Sequence, residues 1–134
     1  MAIKMDYKKS FEELEKNLSE LKEKNLNIPI IVEGEKDIVA LNKIGINGTI
    51  ISINKGMSLI TFCDWIANHY QEIIILTDWD RKGGYLCRIL VNNLEGRVKY
   101  DIKFRELLAR YITIRTVEGL PSWIETMKNK INHF

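Results

Sequence analysis

Apolar and polar positions follow two different rhythms along this chain. Between residues 7 and 25, Phe11, Leu14, Leu18 and Leu21 recur at three- and four-residue spacing with charges between them, which predicts an amphipathic helix lying on a core. The run Ile28-Pro29-Ile30-Ile31-Val32 is instead short, β-branched and almost continuously apolar, as a strand buried on both faces should be, with Pro29 admissible only near its start. The helical period returns from Lys36 to Ile44 and stops at Gly45. Thr49 to Ile53 reads as a second strand, closed by the turn Asn54-Lys55-Gly56, and Ser58 as the N-cap of a helix running to about His69. A third strand covers Glu72 to Thr77, and a helix through Tyr85, Leu86, Ile89 and Leu90 follows it. Asp101 can cap a further helix bearing Phe104, Leu107 and Leu108, Tyr111 to Ile114 reads as the fourth strand, and Ser122 to Lys130 as a last short helix after Pro121.

Strands that alternate with helices and are apolar on both sides predict an α/β fold: a single domain with a mostly parallel four-stranded sheet flanked by helices. A length of 134 residues suits one hydrophobic core. No apolar run approaches the roughly 20 residues needed to span a bilayer, so no membrane partner is expected. The opening Met-Ala-Ile-Lys-Met-Asp lacks the apolar stretch of a secretory signal, which points to a cytoplasmic home. Cys63 and Cys87 lie within amphipathic segments without metal or redox spacing and are expected to pack in the core.

In parallel sheets, ligands gather beyond the carboxyl ends of the strands. Glu33 follows the first strand, and Asp78 and Asp80 follow the third, so 45 intervening residues would be folded away to bring three carboxylates to one edge. Crowded carboxylates repel one another, and a divalent cation relieves the conflict; Mg²⁺ prefers a few carboxylates plus water and phosphate oxygens. The same acids could instead cap the helices that follow, where a negative charge is worth about 0.3–1 kcal/mol, and spacing alone leaves both readings open. Charge is divided along the chain: residues 1–80 hold 9 basic and 13 acidic side chains, residues 81–134 hold 11 and 5. A basic second half beside an acidic cluster suits a polyanionic partner, although solvated helix faces account for much of it.

Two motifs here resemble the Toprim domain, the catalytic module of type IA and type II topoisomerases, bacterial-type primases, nucleases of the old-phage-protein type, recombination-repair proteins and maturases of 5S ribosomal RNA. Val32-Glu33-Gly34-Glu35-Lys36-Asp37 matches its E-G-x-x-D element, and Asp78-Trp79-Asp80-Arg81-Lys82-Gly83 its D-x-D-x-x-G element. Gly56 resembles a turn glycine common there, and the likeness runs from about residue 28 to 115. It implies a Rossmann-like Toprim fold in residues 28–134, to which the apolar pattern adds a C-terminal helical extension and the amphipathic helix of residues 1–27 packed on the domain. It also implies that Glu33 serves as general acid or base and metal ligand, and that Asp78 and Asp80 bind Mg²⁺, with Mn²⁺ as a substitute. Asp37, Gly34, Gly56 and Gly83 would support the site, and Arg81, at a position often basic in the family, would meet a substrate phosphate or form a salt bridge; by position alone, Lys55 and Lys82 would meet phosphates or stand as plain turn and helix lysines. The chain departs from type IA topoisomerases, which place a further acid where Lys82 stands, so a second ion is not implied.

The resemblance is greatest to small stand-alone Toprim proteins related to 5S ribosomal RNA maturases. The function expected is Mg²⁺-dependent phosphodiester processing of nucleic acid, RNA before DNA, by a nuclease or maturase with possible protein partners in a processing complex. The alternative is a non-catalytic nucleic-acid-binding or scaffold module. A phosphate-receiver domain shares the sheet and an acidic pocket, but no aspartate ends the second strand here. Oligomeric state and strandedness are not encoded in any pattern above.

Overall fold

Strand β1 (Ile30–Val32) occupies an interior place in a four-stranded sheet, and each of its three residues is fully buried. The protein is seen here as a computed structural model that describes residues 6–53 and 56–132. Strand β1 pairs in parallel with β2 (Ile50–Ser52) on one side and β3 (Glu72–Ile75) on the other. Strand β4 (Lys99–Asp101) pairs in parallel with β3, giving the order β2-β1-β3-β4. The expected α/β architecture, with its parallel sheet between helical layers, is what the chain adopts.

Period-two alternation sorts the strand side chains between two cores. Ile30, Val32, Ile74 and Leu76 pack with residues of α1 (Tyr7–Lys24), α2 (Glu35–Lys43), α5 (Lys103–Tyr111) and α6 (Leu120–Asn132). Ile31, Ile51, Ile73 and Ile75 pack with α3 (Leu59–His69) and α4 (Arg81–Leu94), where Cys63 and Cys87 are buried as free thiols. The chain leaves β1 through α2 toward one edge of the sheet and leaves β3 through α4 toward the other. The crevice between the carboxyl ends of β1 and β3 is therefore the topological switch point, where doubly wound sheets place their ligands.

The fourth strand is not where the sequence pattern put it. Tyr111 ends α5, and Ile112 to Ile114 belong to no strand. The sheet edge is taken by Lys99–Asp101, whose first N–H donates to the Gln71 carbonyl at 2.9 Å. Its weaker signal is the alternation Val98, Tyr100, Ile102, which packs on the second core while Lys99 faces out. The run Ile112-Thr113-Ile114 is β-branched because Ile112 and Ile114 pack against the first core, not because it pairs. The last helix starts at Leu120, so Pro121 sits in its first turn, where a missing N–H costs little.

Lys24, in the last turn of α1, ties that helix to the sheet edge: its ammonium bonds the Asp101 carboxylate and lies 3.6 Å from Glu72. Asp101 also accepts from the Lys103 N–H at 2.8 Å, two residues on, but the N-cap of α5 is Ile102, not the Asp101 that the sequence suggested. Although burial acts in the opposite direction, Lys24 and the Lys103 N–H hold the Asp101 carboxyl below its ordinary value of 3.8. A depressed carboxyl adds stability that is complete above the ordinary value and is lost as pH falls through the folded one. Lys24→Met is expected to cost about 1 kcal/mol at neutral pH. In urea melts the difference from the parent should vanish well below pH 3.8; an equal deficit at both pH values would show that packing, not charge, is what Lys24 supplies.

Candidate metal centre

Glu33 is the first residue after β1, Asp78 lies in the loop after β3, and Asp80 is the N-cap of α4. The three carboxylates, all half-buried, each offer an oxygen such that these atoms lie within 4.8 Å of one another. A backbone N–H fixes each of them: Asp78 N–H donates to Glu33 Oε2 at 2.8 Å, Val117 N–H to Asp78 Oδ1 at 2.8 Å, and Gly83 N–H to Asp80 Oδ1 at 2.7 Å. One oxygen of each carboxylate is thus oriented by the backbone, and the Glu33 and Asp78 side chains also meet each other.

The loop carrying the aspartates is held from three sides. Trp79 turns away from the carboxylates into the first core, with 9% of its surface exposed. Its indole N–H donates to the Ile114 carbonyl at 2.6 Å and its backbone N–H to the Arg115 carbonyl at 2.9 Å. Arg105 reaches over from α5 and gives the Asp78 carbonyl two guanidinium bonds, at 2.9 and 3.2 Å. Below the loop, the Thr77 hydroxyl donates to the Gly83 carbonyl at 2.8 Å. A Cβ on Gly83 would overlap the Asp78 carbonyl oxygen, so the D-x-D-x-x-G spacing has a steric basis: the helix must begin against the loop peptide that follows Asp78.

Burial and mutual repulsion act together on the cluster. Burial raises the Glu33 carboxyl above its ordinary 4.5, the charges of Asp78 and Asp80 add to the rise, and the Asp78 N–H and Lys82 oppose it. Burial likewise raises Asp78, with Asp80 and Glu118 adding to the effect while the Val117 N–H opposes it. Three hard oxygen donors, converging within one coordination sphere and short of cationic partners, fit a small divalent ion. Among the described residues these are the only acids, histidines or cysteines grouped tightly enough to do so.

Of the supporting residues, Asp37 is buried and its Oδ2 accepts from the Gly34 N–H at 3.1 Å, closing the first turn of α2. It stands near enough to Asp78 for that charge, after burial, to raise its own carboxyl. Gly34 is extended, with φ −152° and ψ 176° and open space where a Cβ would project, so its conformation does not require glycine. Gly56 does need its freedom, with φ +77°. Lys55 lies outside the described residues. Arg81 and Lys82 are exposed in the first turn of α4, and Lys82 is close enough to lower the Glu33 carboxyl. Sequence reasoning missed Arg105 and the Val117 N–H, one a remote helix residue and the other a backbone group that no side-chain pattern encodes. The charge of Glu118 also reaches both Asp37 and Asp78.

Comparison with known proteins agrees with this architecture. A family model described as the Toprim domain matches residues 28–109, which include both motifs. A UPF0292 protein of Thermoplasma volcanium is 44% identical over 103 residues, covering 76% of this chain and 87% of that one. A UPF0292 protein of Methanocaldococcus jannaschii is 34% identical over 117 residues, covering 85% and 91%. A solved structure of a protein from Aquifex aeolicus superposes with a TM-score of 0.69 at 26% identity, over 79% of this chain and 96% of that one. With strand order, acidic edge and both motifs in agreement with a match across most of its length, this chain belongs to the Toprim domain family.

Proposed function

We propose that this protein is a Mg²⁺-dependent phosphodiester-processing enzyme acting on nucleic acid, and that its substrate is RNA, cut or trimmed as by a nuclease or maturase. The family it belongs to is one of metal-dependent nucleic-acid processing. Among the described residues, no helix is long and apolar enough to cross a membrane. The observation that carries the proposal is the convergence of Glu33, Asp78 and Asp80 within 4.8 Å, from loops 45 residues apart.

In this reading Asp78 and Asp80 hold the ion together with Glu33. The bound ion supplies Lewis acidity toward a phosphate oxygen. Glu33, whose Oε2 accepts from the Asp78 N–H, takes or returns a proton at the reacting oxygen. Its raised carboxyl suits that exchange, because a group that titrates nearer the working pH moves protons both ways. Arg81 and Lys82, exposed at the same helix end, offer charge to flanking phosphates, and Lys55 is assigned the same role from the sequence.

A cleavage screen on structured RNA, single-stranded DNA and duplex DNA with Mg²⁺ or Mn²⁺ tests the proposal. Turnover is expected on RNA and is expected to fall at least about 100-fold in Glu33→Gln, the scale of losing a general acid or base, with the circular dichroism spectrum unchanged. No turnover on any substrate, together with binding that persists in EDTA, would instead identify a non-catalytic binding module.

A further inference from the structure

The helix that starts at the D-x-D loop has a second face that neither core uses. At about 100° per residue, Arg81, Tyr85, Arg88 and Asn92 of α4 fall within an arc of about 60°, opposite the buried Gly83, Cys87, Leu90 and Leu94. All four are exposed, Tyr85 at 59%. The helix carries no acidic residue. Among the described residues neither Arg81, Lys82 nor Arg88 is in an ion pair, whereas Arg97, just beyond the helix, is paired with Asp64 at 2.9 Å.

An exposed tyrosine alone means little. Here the ring stands between two unpaired guanidinium groups, four residues after one and three before the other, about 10 Å apart along the axis. The row begins at the residue following Asp80 and runs away from the carboxylates. Its charge is opposite to that of the cluster it leads from, so a polyanion attracted to it is led toward the sheet edge.

We propose that this face of α4 is a docking track for a single strand of nucleic acid, with Arg81 and Arg88 on successive phosphates and a base stacked on Tyr85. Stacking on a flat ring accepts any base and requires the base to be unpaired, which a duplex denies. The track deepens the proposed phosphodiester function by naming a single-stranded substrate, and rests on that function only for what happens at the strand's far end.

Binding of labelled oligouridine and oligothymidine, with a duplex of equal length for comparison, is read by fluorescence anisotropy in EDTA across a range of salt. Single strands of either sugar should bind more tightly than the duplex. Tyr85→Ala should weaken their binding roughly 5- to 100-fold, and Tyr85→Phe should restore it. Arg88→Ala should lower the slope of log affinity against log salt by about 0.7. Both residues are exposed, so the variants are expected to fold as the parent does. Unchanged affinity in Tyr85→Ala, or a duplex bound as tightly as a single strand, overturns the track. Competition by polyglutamate as effective as by oligouridine does so too, and would mark an acidic protein partner instead. EDTA keeps the result independent of whether the carboxylates hold a cation.

Discussion

Asp78→Asn is expected to leave the metal-free protein at least as stable as the parent near pH 8, and to remove the stabilisation that Mg²⁺ or Mn²⁺ confers. The reason lies in the sign of the shifts at the cluster. Burial and neighbouring acids raise Glu33 and Asp78 above their ordinary values of 4.5 and 3.8. A carboxyl raised on folding favours the folded state fully below its ordinary value, and that contribution is lost as pH rises through the folded value. As pH rises above those values, the metal-free protein therefore carries more of the repulsion. Asparagine keeps the shape and an oxygen for the Val117 N–H, while deleting one of the charges. The parent, at a metal concentration about 100 times its dissociation constant, gains about 2.7 kcal/mol, roughly 10 °C in melting temperature for a domain of this size. The gain should shrink toward pH 5, where protons compete for the same oxygens. Thermal melts of parent and variant, with and without metal at both pH values, decide the matter. A parent indifferent to metal at every pH, or a variant several degrees less stable without it, would remove the basis for a cation site.

What the sequence made readable follows from where its information is local. Ile30-Ile31-Val32 and Ile73-Ile74-Ile75 are apolar at every position because both sheet faces are covered, and that pattern located the central strands and the acids that follow them. Ser58 was readable as an N-cap because its hydroxyl accepts from the Thr61 N–H three residues on. The edge strand Lys99–Asp101 was harder, since Lys99 faces solvent, none of its three residues is fully buried and only the alternation remains. The β-branched run after Tyr111 misled for the opposite reason: it is apolar to fill a core, while two nearby carbonyls serve Trp79. Long-range bonds such as Arg105 to the Asp78 carbonyl leave no spacing signature at all.

Those missed contacts change how the site is understood. The family match ends at residue 109, yet the Ile114 and Arg115 carbonyls and the Val117 N–H, all beyond it, position the loop between Asp78 and Asp80. The geometry of the carboxylates is thus set partly by the segment leading into α6, a region in which the sequence shows no motif.

Two glycine-to-alanine changes, identical in chemistry, should separate the residues that build the loop from those that merely adjoin it. Gly83→Ala would place a methyl group on the Asp78 carbonyl oxygen. That oxygen cannot move aside cheaply, because Arg105 holds it with two bonds, and Gly83 itself is pinned by the Asp80 carboxylate and the Thr77 hydroxyl. With backbone on both sides of the clash, the loss should be about 3–5 kcal/mol, at the upper end for single substitutions. Whatever fraction still folds should bind Mn²⁺ weakly, since the displaced carbonyl belongs to Asp78, the residue whose own N–H orients Glu33 and whose carboxylate stands in the cluster. At Gly34 the backbone is extended and the space beside it is open. Gly34→Ala should therefore change stability by less than about 1 kcal/mol, alanine's poorer N-capping being set against the lower entropy of its unfolded chain. Urea melts and Mn²⁺ titrations of both variants read the two effects separately. Equal losses at the two positions would mean that the close approach of α4 to the end of β3 is not what organises the aspartates.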